Sequence, residues 1–307
     1  MARLDISIAG ELNLDLILYG LPEALPTERE LLASAFAITL GSSSAILAHN
    51  LAVLGTSVGF VSKIGNDALG EIALERLASA LVDLTCMRRD STTGSGVTFI
   101  LPHGAERHIL TYPGTIFELR YEELDLEYLA SARHFHMSSL FLHRALAEKI
   151  PDLFRFMKSR GLTTSLDTND DPDDRWSGPL RDTLQYVDVL LPNEREVQRI
   201  AGEENLDQAI AKLAEAVPLV VVKRGPKGAL AARSQERLSA PAIKVAVVDL
   251  VGAGDSFNAG FLHEYLRGST LEQCLCYGNL AGAFSTTAAG GTEAFRDPDK
   301  VRQFFKP

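Results

Sequence analysis

The amino-acid sequence predicts a three-layer α/β fold, a mostly parallel sheet with helices on both faces, carrying a small β-sheet lid. Three observations lead to this expectation. Short apolar runs bounded by turns alternate with helical patterns through most of the 307 residues, as repeated βα units do. Those runs are apolar enough to be strands buried on both faces. Two stretches break the rhythm, because strand patterns there have no helix between them.

Taken in order, residues 4–9 read as a strand entering the polar turn Gly10-Glu11. Residues 31–40 read as a strand, 43–54 as a helix stopped by Gly55, 58–62 as a strand and 69–80 as a helix. Residues 96–101 lead to the turn Pro102-His103-Gly104-Ala105, and 107–112 return, which is a hairpin signature. Residues 163–167, 187–191 and 219–222 are short buried strands, with helical patterns such as 206–215 between them. Residues 243–248 alternate as a strand, and 257–266 are an apolar helical run. The whole chain, 1–307, is read as one domain, with a discontinuous lid from about 12–20, 31–40 and 94–112.

The composition, 46% apolar and 23% charged, is that of a globular protein. A net charge of −10 argues against nucleic acid or an anionic membrane as partner. No apolar run reaches the roughly 18 residues of a membrane span. Cys86, Cys274 and Cys276 are too few for a disulfide framework, and the first residues lack a signal-peptide core. A cytoplasmic location is expected.

The informative stretch is Asp249-Leu250-Val251-Gly252-Ala253-Gly254-Asp255-Ser256-Phe257-Asn258-Ala259-Gly260. Small residues at 252–254, between a strand pattern and a helix pattern, let the backbone approach a ligand. Free N–H groups at the helix start favour an anion. A carboxylate beside such a turn has a natural task, which is to take a proton from a hydroxyl attacking a bound phosphate. The helix start is expected to keep Asp255 ionised, with a low pKa. The pattern G-x-x-x-x-G-K-[ST] is absent, so a P-loop kinase is not supported.

These residues resemble the C-terminal signature of the ribokinase-like (phosphofructokinase-B type) carbohydrate kinases, approximately D-T-x-G-A-G-D-x-F-x-x-G. Only Leu250, in place of the usual Thr, departs from it. The likeness runs over nearly the whole chain and implies a ribokinase-like α/β/α core. It further implies an ATP-dependent kinase acting on a hydroxyl of a small sugar or sugar-like acceptor, with Asp255 as base and Gly252, Ala253 and Gly254 as anion hole. Gly10-Glu11-Leu12-Asn13-Leu14-Asp15 resembles the first substrate loop, so Asn13 and Asp15 are expected to bind sugar hydroxyls. Gly41-Ser42-Ser43-Ser44-Ala45-Ile46 resembles a G-G-x-x-x-N helix start facing the acceptor. Ser42 there replaces the second Gly and Ile46 the Asn, and Asn50, one turn later, is not expected to compensate.

Asp67, in the segment 63–70, is expected to cap a helix. Asp167 and Asn169 resemble a strand-end pair near the phosphates. Asn193-Glu194-Arg195-Glu196 resembles an N-x-x-E motif tied to magnesium, with Glu196 acting on Mg2+ through water. Asn193, Lys223, Gly225, Gly228 and Asn279, with Gly252 and Gly254, are implied to bind ATP, and Asp249 to hold a monovalent cation such as K+. Lys227 is a phosphate-neutralising candidate or a surface lysine.

Segments 10–15 and 41–46 carry no Lys or Arg, so a neutral acceptor is expected. Arg107, beside the hairpin turn, is expected to face solvent. Alternating apolar residues in the lid predict a lid-to-lid homodimer. His134 and His136 are read as satisfied strand histidines and Asp170 to Asp174 as a solvated loop. The rival readings are a nucleoside kinase on the same scaffold and a catalytically silent sugar-binding protein. A dinucleotide enzyme is disfavoured, since no G-x-G-x-x-G follows the first strand.

Overall fold

The computed structural model describes residues 4–22, 24–103 and 106–305. Its strands are β1 (Ile6–Ala9), β2 (Asn13–Tyr19), β3 (Ala35–Leu40), β4 (Val58–Val61), β5 (Lys63–Gly65), β6 (Arg88–Asp90), β7 (Gly96–His103), β8 (Glu106–Tyr112), β9 (His134–Ser138), β10 (Thr163–Asp167), β11 (Val189–Leu190), β12 (Leu219–Lys223), β13 (Ala229–Arg233) and β14 (Glu236–Ala240). The helices are α1 (Ser43–Val53), α2 (Ala68–Ser79), α3 (Leu126–Ala130), α4 (Ile150–Ser159), α5 (Leu180–Leu184), α6 (Glu194–Ala201), α7 (Leu206–Ala216), α8 (Ala253–Arg267), α9 (Leu271–Ser285) and α10 (Pro298–Phe304).

The large sheet runs β14-β13-β12-β11-β10-β9-β1-β4. From β12 to β4 every pairing is parallel, and β13 and β14 add an antiparallel edge. Side chains alternate across the strands and feed two cores. Phe135, Met137, Leu166, Val220 and Val222 pack with α4 to α7 on one face. Ile6, Ile8, Phe60, Leu191 and Val221 pack with α1, α2, α8 and α9 on the other. Burial on both faces explains why these strands read as apolar runs. Inside the sheet, His134 and His136 are buried and share the Ser165 hydroxyl, each at 2.7 Å. Burial holds both imidazoles neutral, with pKa values down at about 3. They are satisfied core residues, as expected.

The second sheet runs β3-β2-β7-β8. The central two residues of the expected hairpin turn, Gly104 and Ala105, lie outside the described residues. Register puts Asp15 beside Thr39 and Thr98, and Thr98 beside Thr111. With the period of two, one face therefore carries Asp15, Ile17, Thr98, Ile100, Arg107, Ile109 and Thr111. Ile17 and Ile100 pack on Val251, so this face looks down on the body. The opposite face carries Phe36, Leu110 and Tyr112, which are 56%, 57% and 56% exposed.

One expected element is absent. Residues 243–248 form no strand; they run as irregular chain from β14 toward α8. Ile243, Val245 and Val247 line a cleft instead of pairing with the sheet, and Ile243 and Val247 stay 41% and 57% exposed. The third strand also begins at Ala35, later than the expected 31.

Candidate active site

The C-terminal ends of β1, β9, β10, β11 and β12 deliver Glu11, Ser139, Asp167, Asn193 and Lys223 to one edge of the sheet, where α/β folds place their ligands. Two cavities open there. One, of about 520 Å³, is mostly apolar and runs between Gly225, Ile243, Val247, Phe257 and Asn279. The other, of about 200 Å³, is enclosed by Glu11, Asn13, Asp15, Ser42, Ile46 and the inner face of the lid. They meet at the start of α8. Ala253 and Gly254 line the larger cavity, and Gly252 and Asp255 the smaller.

Gly252 caps α8 with φ +70° and ψ 8°, and no side chain caps the helix. A Cβ at Gly252 would lie 2.5 Å from Gly291 Cα, so both conformation and space demand glycine here. Ala253 N–H spends itself weakly on Leu250 O, at 3.3 Å. The first-turn N–H groups of a long helix thus point where the cavities join, an arrangement suited to a phosphate.

Asp255 sits in the first turn of α8. Burial pushes its carboxyl up to about 6; Lys223 opposes this and Asp167 adds to it. The expected low value is therefore wrong. A helix dipole is worth about 1 kcal/mol, and desolvation outweighs it. The raised value makes Asp255 a better base near neutral pH.

Asp15 is 6% exposed. Burial raises its carboxyl to about 7, with the Asn13 amide and Arg107 lowering it and Asp255 and Asp249 raising it. Asn13 Nδ2 donates to Thr98 Oγ1 at 2.9 Å and to Asp15 Oδ1 at 3.4 Å. Gly41 is held against Asp15, since a Cβ there would lie 2.1 Å from Oδ1. Ser42 stands at φ 68°, in the region that favours glycine. Its hydroxyl donates to Glu11 O at 2.5 Å and accepts from Ala45 N–H at 3.3 Å, capping α1. Ile46 lines the pocket wall. Asn50 does not take over its place; it donates to Ser256 Oγ and Gly291 O at 2.9 and 3.0 Å, tying α1 to α8.

On the other side, Lys223 pairs with Asp167, which also accepts from Asn258 Nδ2 at 2.5 Å. Burial alone would favour neutral Lys223, but Asp167 and Glu196 hold its pKa above the usual lysine value. Asn193 and Glu196 form a reciprocal cap. Asn193 Oδ1 accepts from Glu196 N–H at 2.9 Å, and Asn193 N–H and Nδ2 donate to the Glu196 carboxylate at 2.8 and 2.6 Å. Neither residue lines the larger cavity. Burial, with Asp167 nearby, raises the Glu196 carboxyl. Two buried oxygens near Asp167, Thr168 Oγ1 and Asn258 Oδ1, have no hydrogen-bond partner among the described residues. This oxygen-rich corner fits a largely hydrated magnesium ion.

Gly225 and Gly228 border the larger cavity with φ +51° and +84°. Asn279 also lines it, anchored to Ala240 O and Pro241 O at 3.1 and 3.0 Å. Lys227 pairs with Glu194 at 3.2 Å and takes no part in the cavity wall. The Asp249 carboxylate accepts from Tyr19 hydroxyl, Val251 N–H and Gly290 N–H at 3.2, 3.0 and 2.9 Å. A cation there competes with three protein donors.

Two charged residues of the smaller pocket were misplaced or passed over by sequence reasoning. Arg107 is exposed, yet it lines the pocket instead of pointing away. Glu11 is buried, accepting from Ser44 Oγ at 2.7 Å and Ser139 Oγ at 2.8 Å. Against the cost of burial, His143 and Ser44 hold its carboxyl down at about 2. A charged residue directly after a buried parallel strand was the signal for Glu11.

Comparison with known proteins identifies the family and the fold. The model described as pfkB family carbohydrate kinase matches residues 4–298. An ATP-dependent ribose-1-phosphate kinase from Halopiger xanaduensis is 30% identical over 261 residues, covering 83% of this chain and 82% of its own. A ribokinase from Arabidopsis thaliana, solved with ribose and ATP, superposes with a TM-score of 0.85 at 24% identity, covering 100% of both chains. An E. coli structure provisionally assigned as a ribokinase II, in complex with ATP and Mg2+, gives 0.87 at 23% identity over 99% of each chain. This chain belongs to the pfkB family of carbohydrate kinases.

Proposed function

We propose that the enzyme transfers the γ-phosphoryl group of ATP to a hydroxyl of a small sugar, with Asp255 as base. The observation that carries this reading is the meeting of a large apolar cleft and a small polar pocket at one helix start, with Asp255 on the acceptor side. The adenine end of ATP suits the cleft near Asn279 and Gly225, and the phosphates lie toward Gly252, Ala253 and Gly254. Asn13 and Asp15 hold the sugar's hydroxyls. The attacking hydroxyl gives its proton to Asp255 as its oxygen bonds to the γ-phosphorus, and the bond to the β-phosphate oxygen breaks, releasing ADP. Glu196 and Asp167 are the oxygen donors for magnesium, which when bound offsets phosphate charge.

The acceptor pocket has less than half the volume of the nucleotide cleft, about 200 against 520 Å³. That favours a sugar over a nucleoside, and the intact base and turn disfavour a silent binder. Arg107 at the pocket adds an anionic acceptor to the candidates, as does the ribose-1-phosphate kinase relative. The test is a panel of aldoses, ketoses, sugar phosphates and nucleosides, read by ADP release. No stimulation by any sugar would sink the proposal. Titration with K+ in the same assay decides whether Asp249 serves a cation.

No described helix is long and apolar enough to cross a membrane; with free cysteines, we assign the enzyme to the cytoplasm. Its net charge of −10 argues against nucleic acid as a partner. The exposed outer face of the lid, with Phe36, Leu110 and Tyr112, pairs in this reading with the same face of a second copy.

A further inference from the structure

Lys223 lines the larger cavity beside the start of α8. Its side chain is 12% exposed and its ammonium is paired with Asp167, whose side chain is fully buried. It lines the nucleotide cleft and lies along the anion-binding turn, for a methyl group built on Gly254 would be 3.6 Å from Nζ. The other basic side chains of this loop are engaged elsewhere. Arg224 Nε donates to Glu194 at 2.8 Å, and Lys227 joins the same carboxylate. An ammonium this close to the turn, held by a carboxylate before any phosphate arrives, is placed to change partners.

We propose that Lys223 is a mobile cation of phosphoryl transfer. It rests on Asp167 in the nucleotide-free enzyme and turns onto the terminal phosphate of bound ATP. This rests on the kinase reading above and assigns the site's internal charge exchange. No proton moves with Lys223, which stays an ammonium throughout. Asp167 keeps the Asn258 amide when Lys223 leaves, so its carboxylate is not stranded. It then stands beside Glu196 as an oxygen donor facing the phosphates.

The test is nucleotide binding by calorimetry in EDTA, with a non-hydrolysable ATP analogue and with AMP. Lys223→Met should weaken analogue binding about tenfold to a hundredfold, as loss of a charged hydrogen bond does, and leave AMP unchanged. Asp167→Asn should tighten analogue binding, because Lys223 no longer has to be drawn off its partner. That gain should largely vanish in the Lys223→Met/Asp167→Asn double variant, which removes both charges of the buried pair together. A gain that persists undiminished there would mean simple charge repulsion and overturn the proposal. Equal loss of analogue and AMP binding in Lys223→Met would make Lys223 structural and overturn it too. A crystal structure of the wild-type enzyme with the analogue gives a variant-free answer, with Nζ expected on the terminal phosphate. If ATP binds while Lys223 stays on Asp167, the exchange fails alone. If the wild-type enzyme binds no ATP, the kinase reading falls with it.

Discussion

Replacing Asp15 by Asn should stabilise the protein while spoiling its acceptor site. The Asp15 carboxyl is 6% exposed and its one amide partner, Asn13, is 3.4 Å away. Burial lifts its pKa from 3.8 to about 7. At about 1.4 kcal/mol per pH unit, that rise is a ceiling of about 4 kcal/mol on the cost of keeping Asp15 ionised in the fold. The sign follows from proton counting. Between pH 3.8 and about 7 the folded chain holds this proton and the unfolded chain does not. Stability from this group is therefore present at low pH and is lost as pH rises through the folded value. An amide has no such dependence. Urea unfolding without acceptor should find Asp15→Asn more stable than wild type near pH 8, with the advantage gone near pH 4. The variant should bind the acceptor poorly, because an amide accepts fewer hydroxyl hydrogen bonds than a carboxylate. A variant less stable than wild type at both pH values would refute this reasoning, and would mean that Asp15 anchors the lid.

Two further outcomes follow from the geometry. Gly252→Ala sets a Cβ 2.5 Å from Gly291 Cα at φ +70°, so melting should report a loss of roughly 1–3 kcal/mol, and kcat should fall with the displaced turn. Phe36→Glu, at the exposed outer face of the lid, should shift light scattering from dimer toward monomer; a wild-type protein that is strictly monomeric at micromolar concentration would contradict the lid pairing.

Much of the fold was legible because a parallel sheet buried on both faces writes itself as apolar runs, and β10 and β12 matched their expected positions closely. The segment 243–248 misled because alternating apolar residues can line an open cleft as well as build a strand. The signature at 249–260 located the turn and the carboxylate beside it, because glycine at positive φ, a helix start and an aspartate are all local features. The pKa of Asp255 was not local. It depends on burial and on Lys223 and Asp167, which come from other strands. Arg107 escaped for a similar reason. Distance from a hairpin turn says nothing about which lid face looks inward, and only the packing of Ile17 and Ile100 on Val251 decides it.

The central claim is that Asp255 is the base of a sugar-kinase reaction, and it is tested by ADP release on the best acceptor for wild type and Asp255→Asn across pH. Wild-type kcat at saturating acceptor, where the titration of Asp15 is felt in KM instead, should fall as pH drops through about 6, where the Asp255 carboxyl takes up its proton. Asp255→Asn should lose roughly 100-fold or more in kcat, keep its affinity for ATP, and lose that acid limb. Near-wild-type turnover by Asp255→Asn, with the same pH profile, would contradict the account.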